Sequence, residues 1–426
     1  MTAAIRDPRG QLKIACSGYV EPSSGSIAAV GYTVLDQLLR RGHRIDFFSK
    51  PSFVYPTDLL SKHEGLQYIV SADPAAERMK SVAESTLGRE IAKPVSMLQH
   101  KAFAHAVLRQ MRLRHCEVSY DVVLFLGTPN FGRLKSVPGV AWVQGVGGTD
   151  VRSIYDRADL LRRTEARWRL ELLKAFGRFR TTLGRRDYSA CDAVVCGSDW
   201  SRNALIDRDN LRPDQVLSLP YPLEFDGFEA RKELPSRSGP LRVLWLGRIV
   251  PRKRLDLLLD ASAECERRGV PIELTVIGRV GFAPGLQTLL QQYPHGGRLR
   301  HIAHVPRDQV GTYLRQADIL CQPSDEEDFG MSVAEALACG TPVIVGATNG
   351  TGDYVCPMSR RLPTNSIEAL AEALLDAAQR KSAGTLVDPS LTRQHAETTF
   401  DPEAIVTRLE ELLHDVAAVP VEKVTS

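Results

Sequence analysis

The feature that most constrains the fold is an alternation of short apolar strands with amphipathic helices, which runs through both halves of the chain. Residues 12–17 predict a buried strand, residues 27–41 a helix with one apolar face, and residues 44–48 a second strand. This order favours parallel strands joined by a right-handed crossover. The second half repeats the pattern, with strands at 241–246 and 273–278 separated by a helix. Further strands are predicted at 66–70, 121–126, 139–143, 193–196, 302–305, 319–321 and 343–345.

A polar stretch separates the two halves. Residues 225–241 include a run of Pro, Ser, Arg and Gly that is typical of a linker. We therefore expect an α/β chain with an N-terminal Rossmann-like domain over residues 1–225 and a C-terminal Rossmann-like domain over residues 226–400. Residues 401–426 would contribute a C-terminal helix with an apolar stripe. Because ligands bind at the carboxyl ends of parallel strands, the site is expected in a cleft between the domains.

Composition narrows the classes of function. The chain has 54 Lys and Arg against 51 Asp and Glu, so its net charge of +3 gives no support for nucleic-acid binding. Its eight cysteines are scattered and form no Cys-x-x-Cys pair, which favours buried thiols in a reducing cytoplasm over a zinc site. Residues 1–11 are too polar for a signal peptide, and no apolar run reaches the roughly 18 residues of a spanning helix. A cytoplasmic protein is expected.

The run from residue 324 to residue 345 combines an acidic loop, a glycine, a short helix and a buried strand. Glu327 precedes the helix, Glu335 lies inside it, and Gly330 permits close backbone approach at its start. Free backbone N–H groups and the helix dipole suit a phosphate there. The pattern therefore predicts a ligand with both a phosphate and sugar hydroxyls. The alternative is an ordinary helix with surface carboxylates.

Two cations follow the first strand of the second half. Arg248 offers a planar fork to phosphate oxygens, and Lys253 offers a compact point charge. The alternative is a basic loop on a solvated surface. We expect the neighbouring Arg252 and Arg254 to be solvated, and likewise the side chains of Glu326 and Asp328.

These residues resemble two signatures of glycosyltransferase family 4. The spacing from Glu327 to Glu335 matches its Glu-x7-Glu motif, and Arg248 with Lys253 matches its Gly-Arg-x4-Lys motif. The resemblance is strong over residues 241–355 and rests on topology in the first half. It implies a GT-B fold, in which two doubly wound Rossmann-like domains face each other across a cleft. A C-terminal helix often packs back on the first domain in this family. The supporting residues in register are Phe329, Gly330, Ala336, Ala338, Gly340, Pro342 and Val343.

The resemblance also implies a reaction. The protein would be a retaining glycosyltransferase that moves a hexose-type sugar from a UDP- or GDP-sugar to a hydroxyl of a glycan or lipid-linked acceptor, in polysaccharide or glycolipid biosynthesis. We expect no obligatory metal or other cofactor, because the two cations could replace a metal ion at the diphosphate. The alternatives are a nucleotide-sugar epimerase of GT-B fold and a non-catalytic nucleotide-sugar-binding protein.

Roles follow from the same resemblance. Arg248 and Lys253 would hold the donor diphosphate, Glu327 would bind hydroxyls of the transferred sugar, and Glu335 would accept hydrogen bonds from the donor ribose. The catalytic group is thus predicted to be Glu327, Arg248 and Lys253. The remaining donor-side residues are Gly25, Phe329, Gly330, Met331 and Arg279.

Gln144 and Asp150 are predicted on the acceptor side. The family often has a His near the position of Gln144; glutamine can bind a sugar hydroxyl but cannot act as a base near pH 7. The alternative for Asp150 is that it caps the following helix.

Residues 151–187 contain eleven basic and five acidic residues together with apolar residues at helical spacing. The favoured interpretation is that this helix packs its apolar stripe on the first domain. The alternative is that it lies on an anionic membrane, which implies peripheral contact with the inner face of the membrane. The stripe consists of Leu161, Trp168, Leu172, Phe176, Phe179 and Leu183.

Overall fold

The structure is a computed structural model that describes residues 10–21, 27–49, 57–71, 93–127, 132–183, 188 and 191–419. Within these residues the chain forms two parallel sheets with helices between the strands, so the prediction of two α/β domains is confirmed. Gly25 lies outside the described residues, and its predicted role stays a prediction.

The described part of the first domain contains a seven-stranded parallel sheet of order β3-β2-β1-β4-β5-β6-β7. Alternate residues of its central strand belong to different apolar clusters, Cys16 to one and Ala15 to the other, because both faces of the sheet are covered. The strands are β1 Lys13–Gly18, β2 Arg44–Ser49, β3 Leu66–Val70, β4 Val122–Leu126, β5 Gly139–Trp142, β6 Ala193–Cys196 and β7 Val216–Ser218. The helices are α1 Ile27–Arg40, α2 Thr57–Lys62, α3 Lys93–Val118, α4 Thr149–Asp156, α5 Ala158–Thr164, α6 Arg167–Leu183 and α7 Asp199–Asp209.

The second domain contains a six-stranded parallel sheet, in the described residues, of order β10-β9-β8-β11-β12-β13. Its strands are β8 Leu241–Leu246, β9 Ile272–Ile277, β10 Leu299–Ile302, β11 Ile319–Gln322, β12 Val343–Val345 and β13 Arg360–Arg361. Its helices are α8 Leu255–Arg267, α9 Gln287–Gln291, α10 Arg307–Gln316, α11 Met331–Ala338, α12 Ile367–Ala383 and α13 Pro389–Thr399.

Three strands at the edges of the sheets differ from the sequence-based expectation. Strand β10 spans Leu299–Ile302 and not residues 302–305, because this edge strand is half-exposed and lacks an apolar run. Strands β7 and β13 have three and two residues and are too short for a periodic pattern. Residues 303–305 instead follow β10 towards the cleft between the domains.

The last helix, α14 Pro402–Ala418, returns to the first domain and packs against α1, β4 and β5. Its apolar residues Ile405, Leu409 and Leu413 are buried in the core cluster. Its buried carboxylate Glu410 accepts hydrogen bonds from Arg41 at 2.6 Å and from His43 at 2.8 Å. The end of the chain therefore ties the first domain to the second.

The basic segment 151–187 differs from the predicted single helix. Residues 151–183, the part of it that the structure describes, lie in three helices, α4, α5 and α6. The stripe residues Leu161, Trp168 and Leu172 do not pack on the sheet of the first domain, and the side chain of Leu183 lies outside the description. Leu160 and Leu161 are buried in the same apolar cluster as residues of β8, whereas Trp168 and Leu172 are exposed. The reason is that α6 has an apolar stripe on each of two sides, and the side predicted to be buried is the outer one.

Candidate active site

A cleft of about 780 Å³ lies where the carboxyl ends of β5, β8 and β11 face each other. Residues from both domains line it, as expected for two doubly wound domains. The lining includes Gln144, Asp150, Arg248, Arg252, Lys253, His304, Arg307, Glu326, Glu327, Phe329, Gly330, Met331 and Glu335. Nine of these were predicted as site residues from the sequence.

The loop after β8 is held close to the end of β9 by two glycines. A Cβ on Gly278 would lie 1.7 Å from the carbonyl oxygen of Gly247. The two strand ends can therefore lie this close together only because residue 278 has no side chain. The loop then enters a 3₁₀ turn, Pro251–Lys253, and the following Arg254 has a φ of 51°. This turn places Lys253 and Arg252 in the cleft.

Five charged groups form a chain of ion pairs across the cleft. Lys253 Nζ lies 2.5 Å from Glu327 Oε2, and Arg252 contacts the same oxygen at 2.7 Å. Arg252 also donates to Asp150 of the first domain at 2.6 Å, and Arg248 reaches Asp150 at 3.4 Å. The side chains of Arg252 and Arg254 are only 12% and 8% exposed, so the expectation that both are solvated was wrong. Arg252 joins the first-domain carboxylate to the acidic loop of the second domain, and Arg254 pairs with Asp256 and Asp325.

The protonation preferences of these groups follow from burial and pairing. Burial alone would raise the pKa of Glu327, but Arg252 and Lys253 beside it hold that pKa below its usual value. Burial likewise opposes the effect of Arg252 and Arg248 on Asp150, whose pKa is also lowered. Burial lowers the pKa of Lys253 despite the neighbouring Glu327. Both carboxylates are therefore ionised at neutral pH.

Helix α11 begins directly at the cleft. Gly330 is its N-cap residue and no side chain caps the helix, so the backbone N–H groups of the first turn face the cavity side lined by Gly330 and Met331. Glu335 lies one turn further on, buried, and pairs with Arg307 at the start of α10. Arg307 in turn lies 4.9 Å over the ring of Phe228. The structure thus brings Glu335 to the predicted place and adds Arg307 as its partner.

Phe329 is buried with its ring in an aromatic cluster, 4.7 Å from the Tyr221 ring and 5.7 Å from the Phe400 ring. The adjacent Asp328 accepts hydrogen bonds from Tyr221 and from the backbone N–H of Gly197. Burial raises the pKa of Asp328. Asp328 was expected to be solvated and is instead part of the support that fixes the loop.

Glu326 and Asp325 connect the acidic loop with helices of the first domain. Glu326 pairs with Arg152 at 2.9 Å and with Arg208 at 2.7 Å, and Asp325 accepts from Arg157 at 2.8 Å. The expected solvation of Glu326 was therefore wrong. These pairs hold the two domains together beside the cleft.

The remaining predicted residues are placed less uniformly. Gln144 lines the cleft after β5. Asp150 does not cap α4, whose N-cap is Gly148, but accepts hydrogen bonds from Arg252 and Arg248. Arg279 follows β9 at the same edge, but its side chain is exposed and is not among the described residues that line the cleft.

Among the described residues, the group of three side chains spaced to hold a metal ion is His43, Glu410 and His414. Glu410 and His414 lie on α14 and His43 directly precedes β2, and these three residues do not line the cleft. The absence of an obligatory metal in the cleft stays a prediction.

Comparison with known proteins bears on the second domain first. Residues 226–383 match the family model of glycosyl transferases group 1. The D-inositol 3-phosphate glycosyltransferase of Mycobacteroides abscessus is 34% identical over 205 residues, which cover 45% of this chain and 46% of that protein. A GDP-mannose-dependent α-(1-6)-phosphatidylinositol dimannoside mannosyltransferase of Mycobacterium tuberculosis is 26% identical over 242 residues, 55% and 60% of the two chains. The match therefore spans about half of these relatives.

Solved structures resemble the whole chain. Anabaena HepE, crystallised with UDP, has a TM-score of 0.62 at 14% identity and covers 95% of this chain and 100% of its own. Sucrose-phosphate synthase from Thermosynechococcus elongatus has a TM-score of 0.62 at 16% identity, covering 95% and 99%. At these identities the likeness concerns the fold, and the predicted GT-B fold is confirmed.

Proposed function

We propose that this protein is a retaining glycosyltransferase that moves a hexose-type sugar from a UDP- or GDP-sugar to a hydroxyl of a glycan or lipid-linked acceptor. The observation that supports this most strongly is that Arg248, Lys253, Glu327 and Glu335 converge on one cleft between the two domains. The match of the second domain to group 1 glycosyl transferases supports it further. The product would serve polysaccharide or glycolipid synthesis.

Cations would act on the leaving group. As the bond from the sugar to the phosphate breaks, negative charge grows on the nucleoside diphosphate, and Arg248 and Lys253 would stabilise it. Each such charge-assisted hydrogen bond contributes about 1.5–3 kcal/mol. The start of α11 adds backbone donors beside the same diphosphate.

Carboxylates would hold the two rings. Glu335 accepts from the ribose hydroxyls of the donor, and Glu327 accepts from hydroxyls of the transferred sugar. Both roles require the present ion pairs to rearrange, since Glu335 is paired with Arg307 and Glu327 with Lys253. Gln144 can hold a hydroxyl but not remove its proton, so the leaving phosphate would accept the proton of the acceptor.

The nucleobase of the proposed donor is uracil or guanine. HepE was crystallised with UDP, and the mycobacterial relative is named for GDP-mannose. The buried cysteine thiols fit a reducing cytoplasm, where we place the reaction.

The deciding experiment incubates the protein with UDP- and GDP-hexoses and follows the sugar by proton NMR. Slow hydrolysis that yields free sugar, first formed with the donor's anomeric configuration, is the expected result. A free epimer would indicate an epimerase, and tight binding without turnover would indicate a non-catalytic binding protein. Lys253→Ala is the matched inactive variant, because it removes a proposed diphosphate contact from the cleft.

A further inference from the structure

Helix α6, Arg167–Leu183, is apolar on two opposite sides. Its inner side carries Leu170 and Leu173, which pack in the cluster of the second domain, and Gly177, where a Cβ would lie 2.9 Å from Val151. At about 100° per residue, these positions occupy one side of the helix. The inner side alone therefore packs the helix against the rest of the protein, and the outer side takes no part in this contact.

The outer side is an exposed apolar stripe. Trp168 is 67% exposed, Leu172 60% and Phe179 39%, and Ala175 between them is also exposed. These positions are spaced by four, three and four residues, so they share one side of the helix, roughly 180° from the inner one. Large apolar side chains in such a row are rarely left in water without a partner.

Cations border this stripe. The helix contains five basic residues and one acidic residue. By their angular positions around the helix, Arg167 and Arg178 lie on one side of the stripe and Arg169 on the other. Glu171 lies on the side of Arg167 and Arg178 and is paired with Lys174 at 2.9 Å. Tryptophan and phenylalanine framed by arginines are typical of helices that lie in the interface of an anionic membrane.

We infer that the outer stripe of α6 binds the surface of an anionic lipid membrane. None of the described helices is both long and apolar enough to cross a membrane, so the helix would lie on the surface. A second copy of the chain fits the stripe less well than a membrane does, because two stripes facing each other would bring their like-charged arginines together. One stripe of four side chains is also smaller than the roughly 800 Å² per partner of a stable interface.

Helix α6 is connected with the cleft through α4. The hydroxyl of Tyr155 in α4 donates to the carbonyl oxygen of Lys174 in α6, and Asp150 at the start of α4 lines the cleft. A membrane on α6 would therefore lie beside the first-domain side of the cleft. The inference about lipid does not depend on the proposed transfer reaction.

The test is co-sedimentation of the full chain with vesicles of phosphatidylcholine alone and of phosphatidylcholine with about 30% phosphatidylglycerol. We expect binding to the anionic vesicles that falls as salt rises. The triple variant Trp168→Ser/Leu172→Ser/Phe179→Ser should lose at least about tenfold in vesicle affinity. The matched control Leu113→Ser/Leu234→Ser/Leu391→Ser removes three similarly exposed apolar residues elsewhere and should bind as the unaltered protein does.

Three results would overturn the inference. These are no sedimentation with anionic vesicles, equal sedimentation of the triple variant and the unaltered protein, and a dimer in light scattering that the triple variant abolishes. Because the altered residues are exposed, the melting temperature should stay within a few degrees, and nucleotide binding should be unchanged. An intact fold with lost vesicle binding therefore separates the lipid contact from a folding defect and from the proposed reaction.

Discussion

Lys253 Nζ lies 2.5 Å from a carboxylate oxygen of Glu327, so the residue proposed to hold the diphosphate and the residue proposed to hold the sugar neutralise each other's charge. A bound diphosphate would pair with Lys253 in place of Glu327. Glu327 would then keep its pair with Arg252 and accept hydrogen bonds from the sugar hydroxyls. The ion pair thus keeps two buried charges compensated until the donor arrives.

Lys253→Ala should weaken binding of UDP or GDP by about 10- to 150-fold, because a charge-assisted contact to phosphate contributes about 1.5–3 kcal/mol. Isothermal titration calorimetry measures the dissociation constant. Lys232→Ala, which removes an exposed lysine far from the cleft lining, is the control. Unchanged affinity in Lys253→Ala would place the diphosphate elsewhere.

Arg252 and Asp150 should be energetically coupled across the two domains. Their hydrogen bond of 2.6 Å is partly buried and charge-assisted. A double-mutant cycle with Arg252→Gln and Asp150→Asn should give a coupling of about 0.5–3 kcal/mol in the free energy of unfolding, measured by urea denaturation. Additive effects of the two substitutions would show that the pair does not join the domains.

Glu335 should set the preference for ribose over deoxyribose. The unaltered protein is expected to bind UDP or GDP about tenfold more tightly than the 2′-deoxy or 3′-deoxy nucleotide, since a carboxylate would lose one donor. Glu335→Ala should bind ribose and deoxyribose nucleotides equally in the same titration. If the variant kept the full preference, another group would hold the ribose.

Glu410 should stabilise the fold in a pH-dependent way. Burial opposes but does not cancel the effect of His43 and Arg41, and the pKa of Glu410 is lowered in the folded protein. Its stabilisation is therefore fully present above the unfolded carboxyl pKa of about 4.3 and is lost as the pH falls through the lower folded value.

Glu410→Gln should cost about 3 kcal/mol in the free energy of unfolding at pH 7, because it leaves the buried Arg41 without a carboxylate to balance its charge. The difference from the unaltered protein should shrink as the pH falls below the unfolded carboxyl pKa of about 4.3 and through the lower folded pKa. His43 and His414 also face this carboxylate, so the comparison is made at each pH with both proteins. A cost that is constant over this range would contradict the assignment.

Much of the fold could be predicted because the core strands are continuous apolar runs bounded by glycine and polar turns, as in residues 241–246. The edge strands β7 and β13 could not, since two or three residues carry no period. The same holds for α6: periodicity shows an apolar stripe at Trp168 and Leu172 but not which of two stripes meets the core.

The site was predictable where local spacing carries the chemistry, as for Glu327 and Glu335. Arg252 was missed because its partner Asp150 lies 102 positions away, and its burial depends on the approach of the other domain. Arg307 was missed because its partner Glu335 lies 28 positions away on another helix of the same domain. The sequence signal available for Arg252 was the run of three cations at residues 252–254. Only the tertiary contacts show that the three cations have different roles.

The most direct test of the proposed site is a crystal structure of the protein with UDP or GDP. We predict the diphosphate on Arg248 and Lys253 at the start of α11, with the ribose hydroxyls on Glu335 and the side chain of Glu327 free to face the sugar position. A nucleotide bound outside this cleft, or bound with none of these four side chains in contact, would contradict the proposal.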